Sequence, residues 1–267
     1  MSYPGGKNGA GVYQQIINLI PPHQRYIEPF LGGGAILRLK RPAACSLGID
    51  ADLDVVTSWK AMAANAFTDK GVDVGSRAHT LGNDDTGSRD LERSPQLMMA
   101  PIVEADDAAG YTVMHGDGIQ FLRETGGLYG PETFIYCDPP YLLDTRKSGR
   151  LYRYELTREQ HIELLDVLRS LHCPVMISGY QSDLYEAWLH DWHPASFKAM
   201  TRGGTMATEW LWANFPLPPP ALHDYRYLGK NFRDRERIKR KTQRWKTRLG
   251  RMTPLERYAL LQALSSE

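Results

Sequence analysis

The chain has 267 residues, 42% of them hydrophobic and 24% charged. That balance is ordinary for a soluble globular protein, and no apolar run is long enough to cross a bilayer. The formal net charge of +1 conceals a basic block over residues 226–251, where positive charges exceed negative ones by about ten, so a polyanionic partner is expected there and an acidic remainder elsewhere.

Cys45, Cys137 and Cys173 are odd in number and far apart. With no C-x-x-C pair or Cys/His cluster, a disulfide framework or a structural zinc is not expected, and no metal site is assigned. The first residues, Met1 to Lys7, lack the apolar core of a secretory signal. A cytoplasmic protein with reduced thiols is the expectation.

In chain order, Asn8 is placed to cap a helix that carries Val12, Ile16, Ile17 and Ile20 on one face and stops at Pro21-Pro22. Tyr26-Ile27-Glu28 reads as a short strand running into Pro29-Phe30-Leu31-Gly32-Gly33-Gly34, with a helix from Ala35 to about Lys40. Cys45–Ile49 reads as the next strand, with Asp50 at its end, and Leu53–Ala66 as a helix. From about Thr68 to Gly110 the chain turns polar and rich in Gly, Asp and Ser, a long interval of the kind that is usually functional or disordered. Tyr111–Met114 resumes strand character before His115-Gly116-Asp117, and Ile119–Arg123 starts a helix. Phe134-Ile135-Tyr136-Cys137 is an apolar strand that ends abruptly at Asp138-Pro139-Pro140-Tyr141.

Thr157-x-x-Gln160 has capping-box spacing ahead of a helix lined by Ile162, Leu165, Leu168 and Leu171. Pro174–Gly179 and Glu209–Phe215 complete the strands, the second read as the last. Pro216–Pro220 marks a boundary. The organisation read from this is a catalytic domain over 1–215 with a polar insertion at 68–110, a Pro-rich linker at 216–223 and a basic helical extension at 224–267. Strands alternating with helices predict an α/β fold, a mostly parallel sheet with helices on both faces.

Ligands of open α/β sheets bind outside the carboxyl ends of the strands. Four such ends carry suggestive groups here: Glu28 with the glycine turn, Asp50, Asp117, and the Asp138–Tyr141 tetrad. The glycine turn is neither a P-loop nor a complete dinucleotide fingerprint. An acid ahead of it, Glu28, suits a cationic amino group better than a pyrophosphate. A bare strand–helix turn would explain the glycines equally well. Asp50 suits a ribose diol, and also suits a helix cap. Two prolines fix φ and remove two N–H donors, which leaves rigid acceptors, the Asp138 carboxylate and backbone carbonyls, beside the flat ring of Tyr141. Such a grip fits a planar ligand with an amino group and favours a nitrogen with an available lone pair.

On these residues the chain resembles the Dam-like, D12-class DNA adenine-N6 methyltransferases, over roughly residues 3–215. Tyr3-Pro-Gly-Gly-Lys7, Tyr26–Ala35, Ile49-Asp50, Gly116-Asp117, Asp138-Pro-Pro-Tyr141 and Val175–Ser178 match that family's segments in order. The resemblance implies a Rossmann-like methyltransferase sheet and S-adenosylmethionine as methyl donor. It places Tyr3, Gly6, Lys7, Glu28, Pro29, Phe30, Gly32, Gly34, Asp50, Asp117 and Asp138 at that cofactor. Asp138, Pro139, Pro140 and Tyr141 become the catalytic tetrad, with Tyr141 stacking on a base flipped from the duplex. A phage or prophage type is implied.

Two departures stand out. The interval that holds the family's target-recognition module is short and polar here, and the basic tail is additional. Arg146, Lys147 and Arg150, read as exposed, together with Arg202 and the tail's Lys239, Arg240 and Lys241, are candidate DNA-backbone contacts, with solvated loops or a solvated helix as the plain alternative. Met252–Leu264 reads as a packing or dimer helix. RNA adenine, cytosine N4 or a protein amide remain alternative targets, as does an inactive DNA-binding relic, although Asp138 at the head of the tetrad favours adenine.

Overall fold

The computed structural model describes residues 6–9, 11–68, 110–146, 149, 151–200 and 204–265. The chain begins with helix α1 (Val12–Ile17), strand β1 (Arg25–Glu28), α2 (Ala35–Leu39), β2 (Cys45–Asp50) and α3 (Leu53–Thr68). It continues with β3 (Thr112–His115), α4 (Gly118–Thr125), β4 (Thr133–Cys137), α5 (Arg158–Ser170) and β5 (Val175–Gly179). Then come α6 (Asp183–Trp188), β6 (His193–Met200), β7 (Met206–Ala213), α7 (Phe232–Gly250) and α8 (Pro254–Ser265).

The strands form one seven-stranded sheet in the order β3-β2-β1-β4-β5-β7-β6. Strands β1 to β5 run parallel, and β7 and β6 are antiparallel to their neighbours. The expected α/β architecture is therefore present. Strand order reverses between β1 and β4, so the crevice of the sheet opens where Glu28 and Asp138 end or follow those two strands.

The strand period of two distributes one apolar run over both faces. In β4, Ile135 and Cys137 enter the core cluster with Ile27, Ile49, Val175 and Ile177. Phe134 and Tyr136 enter the opposite cluster with Tyr26, Met176, Leu211 and Ala213. A strand buried on both faces must be apolar at every position, which is why β4 and β5 were visible as unbroken runs.

Three local readings need correction. Gly11, with φ +90° and no side-chain hydrogen bond, caps α1 instead of Asn8. Strand β6 was missed, because an edge strand buries only alternate residues, Phe197 and Ala199 among them, and tolerates Pro194 near its start. The strand read as 209–215 begins earlier, at Met206, where it pairs with Met200. The Thr157–Gln160 capping box forms in full.

The polar interval at 68–110 lies outside the described residues except at its two ends. Past the prolines the chain returns to the body. His223 N–H donates to the Ile20 carbonyl, Asn18 donates to the Tyr227 carbonyl, and Asp224 accepts from the Arg41 N–H. Only after this docked segment does α7 begin, capped by Asn231.

Candidate active site

The parallel strands deliver Glu28, Asp50, Asp117 and Asp138 to one edge of the sheet, and a single cleft there is lined by all four. Gly6, Lys7, Pro29, Phe30, the Gly32–Gly34 turn and Pro140 share its wall. Tyr3 lies outside the described residues, as do Lys147, Arg150 and Arg202. Tyr152, Tyr154, Glu155, Leu156 and Gln160 also line the cleft. Sequence reasoning missed the first four because residues 152–156 have neither helical nor strand periodicity, their two tyrosines and Leu156 being the only signal, and it read Gln160 only as a helix cap.

Asp50 is mostly occupied in holding the glycine turn. Its Oδ2 accepts from the Gly32 N–H at 2.7 Å and its Oδ1 from the Asp52 N–H at 2.8 Å. Burial raises its pKa, and those two N–H donors oppose the rise. Gly34 takes φ +51°, and a Cβ there would stand 2.2 Å from the Trp59 indole. That indole in turn donates to the Gly32 carbonyl at 3.0 Å. The turn is thus fixed from both sides. Asp117 caps α4 by accepting from Ile119 and Gln120 N–H groups through Oδ1.

Glu28 is buried; its Oε2 accepts from the Tyr26 hydroxyl at 2.8 Å and the Leu37 N–H at 3.2 Å. Burial pushes its carboxyl up to about 8, and the nearby Asp138 adds to the rise. An acid held at that level accepts a cationic ligand group with release of a proton.

The centre of the site is Asp138. Its Oδ1 accepts from Lys7 Nζ at 2.7 Å and from Ser178 Oγ at 2.7 Å. Its Oδ2 has no hydrogen-bond partner among the described residues. One carboxylate oxygen is therefore pinned and the other is open to accept from an amine in the cleft. Lys7 is buried, and its Nζ also lies 3.5 Å from Glu209 Oε2. Burial alone would lower its pKa, but Asp138 and Glu209 outweigh burial and hold the ammonium above the usual lysine range.

Tyr141, expected as a stacking ring, is buried and donates its hydroxyl to Glu209 Oε2 at 2.8 Å. The Tyr180 ring meets it edge-on at 4.7 Å. The tetrad's prolines carry no N–H donors, and Asp138 and Pro140 are the members of the tetrad that line the cleft. Cys137 is buried beneath it, and burial pushes its thiol well up, which suits packing and not nucleophilic attack.

Arg146 was expected on the surface, but its side chain is buried. It pairs with Glu155, whose other oxygen accepts the N–H groups of Leu151 and Tyr152. The guanidinium lies 5.5 Å from the Tyr152 ring centroid. Through one guanidinium nitrogen, Nη2, Arg146 is thus tied to Glu155 on the cleft wall. Lys239, Arg240 and Lys241 lie exposed on α7, far along the chain from the cleft residues.

Fold and site together define the class: an S-adenosylmethionine-dependent methyltransferase built on a Rossmann-like sheet. Within that class, residues 124–208, a segment containing the whole Asp138–Tyr141 tetrad, match the family model of the D12 class N6 adenine-specific DNA methyltransferases, the family the sequence resembles.

Curated proteins give no match to the chain. Solved structures with a similar fold include precorrin 8W decarboxylase from Methanobacterium thermoautotrophicum, 12% identical over 79% of this chain and 91% of that one, with a TM-score of 0.39. Magnesium protoporphyrin IX methyltransferase from Synechocystis, solved with bound SAM, is 12% identical over 76% and 75% at 0.39. An rRNA methylase from Streptococcus thermophilus is 9% identical over 78% and 97% at 0.38.

Proposed function

We propose that the chain methylates the N6 amino group of adenine in DNA. The observation that carries this reading is the asymmetric Asp138 carboxylate, one oxygen pinned by Lys7 and Ser178 and the other open at the crevice. The match of residues 124–208 to an adenine-specific family supports the base and the polymer.

The cleft fits the methyl donor. A buried acid at Glu28 and acids at Asp50 and Asp117 suit an amino-acid head group and a diol, and Pro29, Phe30, Leu31 and Leu156 provide apolar wall. Bound there, S-adenosylmethionine supplies an electrophilic methyl on sulfonium. The protein's part is to hold the amine. Asp138 accepts one N–H and a tetrad carbonyl accepts the other, so the nitrogen lone pair is freed for in-line attack. Transfer of the methyl from sulfonium to that nitrogen, with the S–C electron pair staying on sulfur, would leave a surplus proton on the amine, which Asp138 is placed to take. The base must leave the duplex first, because N6 is inaccessible in the stack.

In this reading residues 1–215 are the catalytic unit, and α7 is the part that holds duplex DNA. Arg233, Arg237, Arg240, Lys241, Arg244 and Arg248 fall on one face of α7 over about 22 Å, with Lys239 on the other side. Like charges at i,i+4 oppose the helix on their own, and a phosphate backbone relieves that repulsion. The reading carries with it a cytoplasmic location; no helix among the described residues is long and apolar enough to cross a membrane.

The test is incubation of duplex DNA with the protein and S-adenosylmethionine, followed by nucleoside mass analysis. N6-methyladenine is the expected product. N4-methylcytosine, methylation confined to RNA, or no product with cofactor binding demonstrated would overturn the reading.

A further inference from the structure

Glu209 lies one residue beyond the segment that matches the adenine-specific family, and no sequence motif pointed to it. It stands on β7, a strand hydrogen-bonded on one side to β5 and on the other to β6, where Glu209 is registered against Phe197. A sheet position of this kind aims a side chain more rigidly than a loop does. Its carboxylate makes two contacts with the site: Oε2 accepts the Tyr141 hydroxyl at 2.8 Å and lies 3.5 Å from Lys7 Nζ. Lys7 Nζ in turn reaches Asp138 Oδ1 and sits 4.9 Å from the Tyr141 ring centroid. Glu209, Tyr141, Asp138 and Lys7 thus close a ring of contacts around the tetrad.

We propose that Glu209 is a positioning residue of the methyl-transfer site, one that fixes the Tyr141 ring and draws Lys7 partly away from Asp138. The inference rests on the methyltransferase reading above and deepens it.

The reasoning is electrostatic and geometric. A single ammonium against a single carboxylate would neutralise Asp138 and weaken it as an acceptor. A second carboxylate on the same ammonium leaves two formal negative charges against one positive, so the cluster still favours the positive charge that develops on the attacking nitrogen. The hydroxyl contact does a separate job. It ties the far end of the Tyr141 side chain to the sheet, so the ring cannot turn away from the place where a base would lie.

Three variants separate the two roles. Glu209→Gln keeps an acceptor for the Tyr141 hydroxyl and removes the charge; Glu209→Ala removes both; Tyr141→Phe removes the hydroxyl alone. Glu209→Ala should lower kcat by about a hundredfold and Glu209→Gln by about tenfold, with affinity for S-adenosylhomocysteine within about twofold of wild type. Combined with Tyr141→Phe, Glu209→Ala should cost less than the product of the single losses, because both remove one hydrogen bond. A kcat within twofold of wild type for Glu209→Ala, or losses that simply multiply, would overturn the proposal.

A second readout does not depend on the DNA substrate. Reductive methylation with isotope-labelled formaldehyde, followed by peptide mass analysis, reports how strongly the Lys7 ammonium is held. Labelling should speed up several-fold in Glu209→Gln and Glu209→Ala, and an unchanged rate would also overturn the proposal. Faster labelling in the variants of a protein that methylates no DNA would leave the role of Glu209 standing and count against the adenine reading alone.

Discussion

Ser178 Oγ stands 2.7 Å from Asp138 Oδ1, placed there by the parallel pairing of β4 with β5 that sets Cys137 beside Ile177. The same hydroxyl lies 3.1 Å from the Tyr136 hydroxyl. A residue that reads in the sequence only as the end of a strand is therefore part of the mount of the acceptor.

Ser178→Ala should lower kcat about tenfold by freeing the Asp138 carboxylate to rotate. It should also cost about 1 kcal/mol of stability, since the buried Tyr136 hydroxyl loses a partner. Steady-state kinetics beside urea unfolding separates the two effects. Unchanged kcat in a folded variant would remove Ser178 from the account.

Lys7→Met should be more damaging to the fold. It leaves the Asp138 and Glu209 carboxylates facing each other without the buried ammonium between them. Breaking a buried pair from one side costs about 3 kcal/mol, which urea or thermal unfolding can measure. Lys7→Met paired with Glu209→Gln should recover part of that loss, because one of the two stranded charges is gone.

Cofactor binding should depend on pH through Glu28. Its carboxyl is raised to about 8 in the free protein, chiefly by burial. The carboxylate is the form that attracts a cationic ligand, so binding lowers the pKa and releases a proton. Affinity for S-adenosylhomocysteine should therefore increase as pH climbs toward about 8 and level off above it. Titration calorimetry in buffers of different ionisation heat should detect the released proton. Glu28→Gln should flatten the profile; a profile that stays as steep assigns the proton elsewhere.

Gly34→Ala should destabilise the cofactor turn. The residue occupies the left-handed region at φ +51°, and its new Cβ would stand 2.2 Å from the Trp59 indole. Conformational strain and overpacking together cost about 3 kcal/mol. Thermal unfolding checks the stability, and loss of S-adenosylhomocysteine binding at a temperature where the variant remains folded checks the turn.

On α7, changing Arg233, Arg240, Arg244 and Arg248 together to Gln should weaken binding to duplex DNA of arbitrary sequence. The slope of log K against log salt should become shallower by about three. Fluorescence anisotropy over a salt series measures this, with S-adenosylhomocysteine affinity as the control for folding. An unchanged slope would make α7 a solvated helix.

Much of the frame was legible because it is written locally. The unbroken apolar run at β4, the glycine turn after β1 and the acids at 28, 50, 117 and 138 announce themselves by period, by backbone requirement or by position at a strand end. Edge strand β6 was hidden by its half-polar pattern. The cleft-lining segment around Tyr152 was hidden by having no period at all. Arg146 was misjudged in environment for a related reason. Residue type says that a cation is present, and only its neighbours say whether it is buried against a carboxylate or faces solvent.

The amino-acid sequence by itself determined the parts whose causes lie within a few residues: which runs become strands, where the chain must turn, and that rigid acceptors would follow the Phe134–Cys137 strand. The tertiary structure alone decided how that acceptor is held. Its partners, Lys7, Ser178 and Glu209, come from 131 and 40 residues away from Asp138 and 68 from Tyr141. Side chains that distant meet only in the folded chain: strand order and register place Ser178 and Glu209, and the turn ahead of α1 brings in Lys7. Sheet topology is a property of the whole chain, so the same geometry that sets aside one oxygen of Asp138 for the amine could not be read from any one stretch of it.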